Sequence, residues 1–135
     1  MPPIRNNWFG GIFVATVATG RRYMKVNILG TEYEIFLDVD PDLDKKLEQM
    51  NGYMDFSIKK IVVAKFETDR DSIENPKYFL KKVLRHELTH AFLYESGLWE
   101  NSGNAEAWAQ SEEMTDWIAV QFPKLLKAFQ ECDCI

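Results

Sequence analysis

The most constraining feature of the chain is the stretch between Pro76 and Gly97. Residues 77–96 contain neither glycine nor proline, and His86-Glu87-Leu88-Thr89-His90 stands in their middle. Leu80, Leu84, Leu88 and Ala91 recur there at helical spacing. The segment from Pro76 to about Ser96 therefore reads as one long helix with Gly97 as its stop. At about 100° per residue, His86, Glu87 and His90 share one sector, the leucines gather roughly opposite, and Lys81, Lys82 and Arg85 form a third face. An ordinary surface helix has one polar face. This one has a solvated cationic face and a separate His/Glu face that needs an occupant.

The spacing says what that occupant is. Histidines four apart lie one turn along the same face, so both imidazoles reach a single Zn²⁺ at about 2.0–2.1 Å, and the intervening Glu can take a proton from a metal-bound water. The chain has two histidines in all, and random placement would put them four apart around such a Glu on the order of one time in a thousand. A catalytic site keeps its fourth position for water, so a third protein ligand is needed, and it must be a carboxylate. Glu106, Glu112, Glu113 and Asp116 are available downstream. Ala105, Ala109, Glu112, Asp116 and Ala119 form one helical stripe whose alanines allow close approach. Glu112 is the expected ligand, with Glu113 second, off the stripe's centre. Asp116, one turn on, is placed to accept a hydrogen bond from the outer nitrogen of a ligand histidine.

The earlier part of the chain reads as strands. Gly11 to Thr19 is the first, Gly20-Arg21-Arg22 a turn, and Tyr23–Leu29 with Glu32–Asp38 a hairpin around Leu29-Gly30-Thr31. Asp40-Pro41 opens a helix expected to run to about Met50, burying Leu43, Leu47 and Met50, with Asn51-Gly52 closing it. Lys59–Phe66 is a further strand, followed by a polar loop to Asn75. A last helix is expected from about Ala105 to Phe122, broken or kinked at Pro123, with a short one from Lys124 to Glu131. Strands first and helices last predict an α+β layer, with a small, mostly antiparallel sheet packed on the His-bearing helix and a C-terminal helix. No repeat or linker divides residues 1–135, which read as a single domain.

Here the sequence resembles a family. His86-Glu87-Leu88-Thr89-His90-Ala91 followed by Glu112-Glu113-Met114-Thr115-Asp116 is similar to the gluzincin pattern, H-E-x-x-H with a downstream E-x-x-x-D, as in thermolysin-like peptidases. The resemblance implies a zincin-like fold with one Zn²⁺ held by His86, His90 and Glu112, Glu87 as general base, and Asp116 behind a ligand histidine. The short length and sheet-first layout look more like minimal gluzincins, among them small phage and mobile-element proteins and ImmA/IrrE-like peptidases. Gly52-Tyr53, ahead of Ile61-Val62-Val63, also looks like that group. In such peptidases a sheet edge beside the active-site helix holds the substrate backbone by strand addition, a role expected for Ile61, Val62 and Val63. The chain departs from larger members in having no later histidine to stabilise the tetrahedral intermediate. Tyr94, one turn after His90, is the candidate replacement. Peptide hydrolysis is the implied reaction, with a peptide or protein as substrate. The competing reading is a regulatory or interaction module stapled by zinc and without peptidase activity.

Composition excludes other classes. With 16 Lys+Arg against 21 Asp+Glu, net charge −5, the chain lacks the basic balance of a nucleic-acid or anionic-membrane binder. No segment reads as a signal peptide or approaches the ~20 apolar residues of a membrane span, and a cytoplasmic location is expected. Cys132 and Cys134 read as a reactive or incidental tail, since two terminal thiols cannot close a metal site. Trp99, Trp108 and Trp117 fall half a turn apart and are expected to pack seams between helices and sheet.

Overall fold

The computed structural model describes residues 5–9, 12–16, 22–68, 73–103 and 112–135. Six strands, β1 (Arg5–Phe9), β2 (Ile12–Thr16), β3 (Arg22–Ile28), β4 (Thr31–Val39), β5 (Gly52–Asp55) and β6 (Lys60–Ala64), form one sheet in the order β1-β2-β3-β4-β6-β5. All neighbours are antiparallel except β4 and β6. Helices α1 (Pro76–Glu95), α2 (Leu98–Asn101) and α3 (Glu112–Glu131) follow. The α+β class and the mostly antiparallel sheet expected from the sequence are what the chain forms. The first expected strand is the shorter β2, and residues 17–21, including most of the turn before β3, lie outside the described residues. β1 had no expectation attached.

The β3–β4 hairpin follows its pattern. Leu29 and Gly30 both have positive φ, 52° and 94°, as a two-residue hairpin turn with the right twist requires, and Asn27 Oδ1 accepts from the Gly30 N–H at 2.8 Å. Alternation along the strands buries Met24, Val26 and Ile28 with Tyr33, Ile35, Leu37 and Val39 on one face. Against that face lie Leu80, Leu84, Leu88, Ala91 and Phe92 of α1, with Leu125 and Ala128 of α3 in the same core.

Three expectations need correction. The segment after Asp40 is two short 3-10 turns, Pro41–Leu43 and Lys45–Glu48, rather than one helix to Met50. Asp40 caps the first turn as expected. Asp44 then stands extended, its carboxylate accepting from the Lys46 N–H and the Tyr53 hydroxyl, so a local side-chain bond competes with helix propagation. Leu47 is buried, but Leu43 and Met50 are exposed. Secondly, Ile61, Val62 and Val63 are not an edge. They lie in β6 between β4 and β5 and are buried, and the outer strand is β5. Thirdly, α3 continues through Pro123. Proline removes one helical hydrogen bond, but burial of Leu125, Ala128 and Cys132 beyond it favours continuing the helix, so the expected break does not occur.

Candidate functional site

The site is built on α1. Asn75 Oδ1 accepts from the Tyr78 N–H and Pro76 occupies the first turn, which fixes where the helix begins. At the other end Gly97 takes φ 81°, the left-handed stop that lets the chain turn away. Between these ends the apolar stripe is pinned to the sheet, so the His/Glu sector is turned toward β5.

His86 Nε2 and His90 Nε2 lie 2.9 Å apart, with the two rings nearly perpendicular. One nitrogen donates and the other accepts in this arrangement. Two imidazoles bound tetrahedrally at about 2.0–2.1 Å would have their nitrogens roughly 3.3 Å apart, so a change of a few tenths of an ångström admits a Zn²⁺ between them. The donor chemistry and the spacing fit the metal. Burial, reinforced by the charge of His86, holds the His90 pKa below its ordinary value.

Glu87 is the one buried charged residue among those described, 6% exposed. Burial pushes its pKa up to about 7, against a smaller opposing effect from the Met54 backbone N–H, which donates to the carboxylate. That donor belongs to β5. The close approach of strand and helix depends on Gly52, where an added Cβ would stand 2.9 Å from both the Val62 carbonyl oxygen and Val83 Cγ1 and 3.5 Å from Glu87 Cγ. A glycine inside a strand is a sequence signal of such an approach, but Gly52 was expected as a helix closer.

The pair is flanked on both sides along α1. Toward the helix start is an open cleft of about 310 Å³ lined by Asn51, Gly52, Phe79, Lys82, Val83, His86 and Glu87. Toward the helix end is an aromatic shelf. Trp99 meets the edge of His90 with centroids 5.5 Å apart, Tyr94 stacks on Phe56 at 4.6 Å, and Lys59 Nζ lies 4.7 Å from the Tyr94 centroid. Trp99 is exposed at 44% rather than packed in a seam. Trp117 does pack one, its Nε1 donating to Ser96 Oγ at 3.0 Å, and Trp108 lies outside the described residues.

α3 is described from Glu112 onward, and the Trp117–Ser96 bond places the part around Trp117 at the C-terminal end of α1. Glu113 is exposed. The side chains of Glu112 and Asp116, and all of Ala105, Glu106 and Ala109, lie outside what the structure describes. Among the described residues no group of three or more His, Cys, Asp or Glu side chains is arranged to hold a metal ion; the structure brings together His86 and His90, and Glu87 lines the same cleft as His86. No helix of the described residues is long and apolar enough to cross a membrane. No family model, curated protein or solved structure matches the chain.

Proposed function

We propose that this chain is a zinc-dependent peptidase of minimal gluzincin type with a zincin-like site. The observation that carries the reading is the convergence of His86 Nε2 and His90 Nε2 beside a buried Glu87 that is tied to an outer sheet strand. A structural metal site has no use for that carboxylate.

His86 and His90, with Glu112 as third ligand, would hold a zinc ion, which would supply Lewis-acid polarisation of a carbonyl and acidify a water near neutral pH. Glu87 accepts the proton of the attacking water and passes it to the leaving amine. Among the described residues β5 pairs on one side only, so its outward main-chain groups other than the Met54 N–H, which donates to Glu87, are open to align an extended peptide. Asp116 orients a ligand histidine, and Tyr94 is the candidate donor to the oxyanion.

The test is metal content together with cleavage of a peptide library by the purified chain and its Glu87→Gln variant. The wild type is expected to hold about one zinc and to cleave, and the variant to keep the metal while losing roughly 10²–10⁴-fold in rate. Chelation is expected to stop cleavage and leave the chain folded. A variant that holds zinc and cleaves at the wild-type rate overturns the mechanism. Unfolding on chelation, with no peptide cleaved by the loaded chain, establishes the zinc-stapled interaction module instead.

A further inference from the structure

Lys81, Lys82 and Arg85 of α1 do not act as one face. Lys81 Nζ lies 3.9 Å from Asp133 Oδ1 and the Arg85 guanidinium donates to the Cys134 carbonyl, so two of them are committed to the C-terminal segment. Lys82 is exposed and lines the cleft beside His86, one helical turn away on α1. No carboxylate pairs with it among the described residues. Phe79 and Val83 give the same cleft apolar walls. The cleft therefore combines an exposed ammonium and two apolar side chains with His86 and the buried Glu87.

We propose that this cleft is a specificity subsite for a carboxylate, in which Lys82 pairs with a negatively charged group on the peptide residue lodged next to the scissile bond. The inference rests on the peptidase reading and names the substrate class of that site. The chain carries a net charge of −5, which repels acidic peptides at long range, so the proposed preference is a local effect. Lys82 is the cation placed to supply it. Two sources carry the required chemistry: the side chain of Asp or Glu within a peptide, and the α-carboxylate at a peptide's end. Phe79 and Val83 suit the methylenes of a substrate residue, and the ammonium suits its charged tip.

Matched peptides decide the matter. One set exchanges Glu for Gln at each position flanking the cleaved bond, and a second exchanges a C-terminal acid for its amide. Both are cleaved by zinc-loaded wild type, by Lys82→Glu and by Lys77→Glu, a control on the same helix that lines a different groove. Wild type is expected to show kcat/KM about tenfold higher for the charged member of one set, and that set identifies the source. The preference is expected to shrink as salt rises, to reverse in Lys82→Glu and to persist in Lys77→Glu. Should Lys82→Glu fail to fold by circular dichroism, Lys82→Gln is expected to abolish the preference without reversing it. Brisk cleavage with equal kcat/KM for every charged and uncharged pair overturns the subsite and leaves the peptidase standing. A zinc-loaded wild type that cleaves nothing overturns both.

Discussion

At Gly52 a single missing atom sets the distance between α1 and the outer strand. Because a methyl group there would press on a carbonyl oxygen and on Val83, both at 2.9 Å, Gly52→Ala is expected to destabilise the fold by about 1–3 kcal/mol and to lift β5 away from Glu87. Denaturant unfolding measures the first effect, and slower cleavage at unchanged zinc content the second. The histidine pair was legible because helical spacing converts two sequence positions into one place in space. Gly52 was not, since Asn51-Gly52 after an apparent helix looks like any C-terminal stop. Its role comes from β6 and α1 meeting at that point, which no local pattern encodes. Phe56 and Trp99 escaped for the same reason: their partners, Tyr94 and His90, lie far off in sequence or around a turn.

At the scale of elements, the end of α1 is tied to the sheet through Glu95. Its carboxylate accepts from Tyr33 at 2.6 Å, Lys59 at 2.7 Å and Thr31 at 3.1 Å. Burial alone would raise its pKa, but these hydrogen bonds outweigh it and hold the carboxyl below its ordinary value. A lowered folded pKa contributes stability that is fully present above the unfolded value, about 4.3, and is lost as the pH falls through the folded one. Urea unfolding is therefore expected to show wild type losing stability below about pH 5, whereas Glu95→Gln, weaker by about 1–2 kcal/mol at pH 7, loses that part of the pH dependence. Regular elements were legible where one local rule decides. The β3–β4 hairpin has alternation and a Leu-Gly turn, and α1 has Asn75, Pro76 and Gly97 at its ends. The rest depended on competition between local and tertiary terms: Asp44 turns its side chain on the backbone and stops a helix, whereas buried residues beyond Pro123 carry one through. β5 is four residues opening on glycine, too short for alternation to register.

Over the whole molecule, the C-terminal segment is a fastening. Cys132 and Cys134 are both buried, Cys134 Sγ donates to the Phe129 carbonyl at 3.4 Å, and Lys81 and Arg85 hold Asp133 and the Cys134 carbonyl. The expectation of a reactive or incidental tail is thus replaced by a packed one. Burial raises both thiol pKa values, that of Cys134 to about 12, so neither presents the thiolate that reacts. Ellman's reagent is expected to find almost no reactive thiol in the native chain and both on unfolding in denaturant. Cys134→Asp, which puts a charge where the thiol is enclosed, is expected to cost about 3 kcal/mol or more. Because α3 and this segment brace the side of α1 away from β5, loosening them is also expected to weaken zinc retention.

The bond between Met54 and Glu87 has a consequence of its own. The Asn51 carbonyl accepts from Ala64, and alternation along β5 then turns the Met54 N–H away from β6, toward the rim of the sheet. Rim amides ordinarily trade their hydrogens for deuterium quickly. This one is shielded by the very carboxylate proposed to move protons, so deuterium uptake at a single backbone position, quickened in Glu87→Ala, reports whether that side chain is seated before a substrate is in hand.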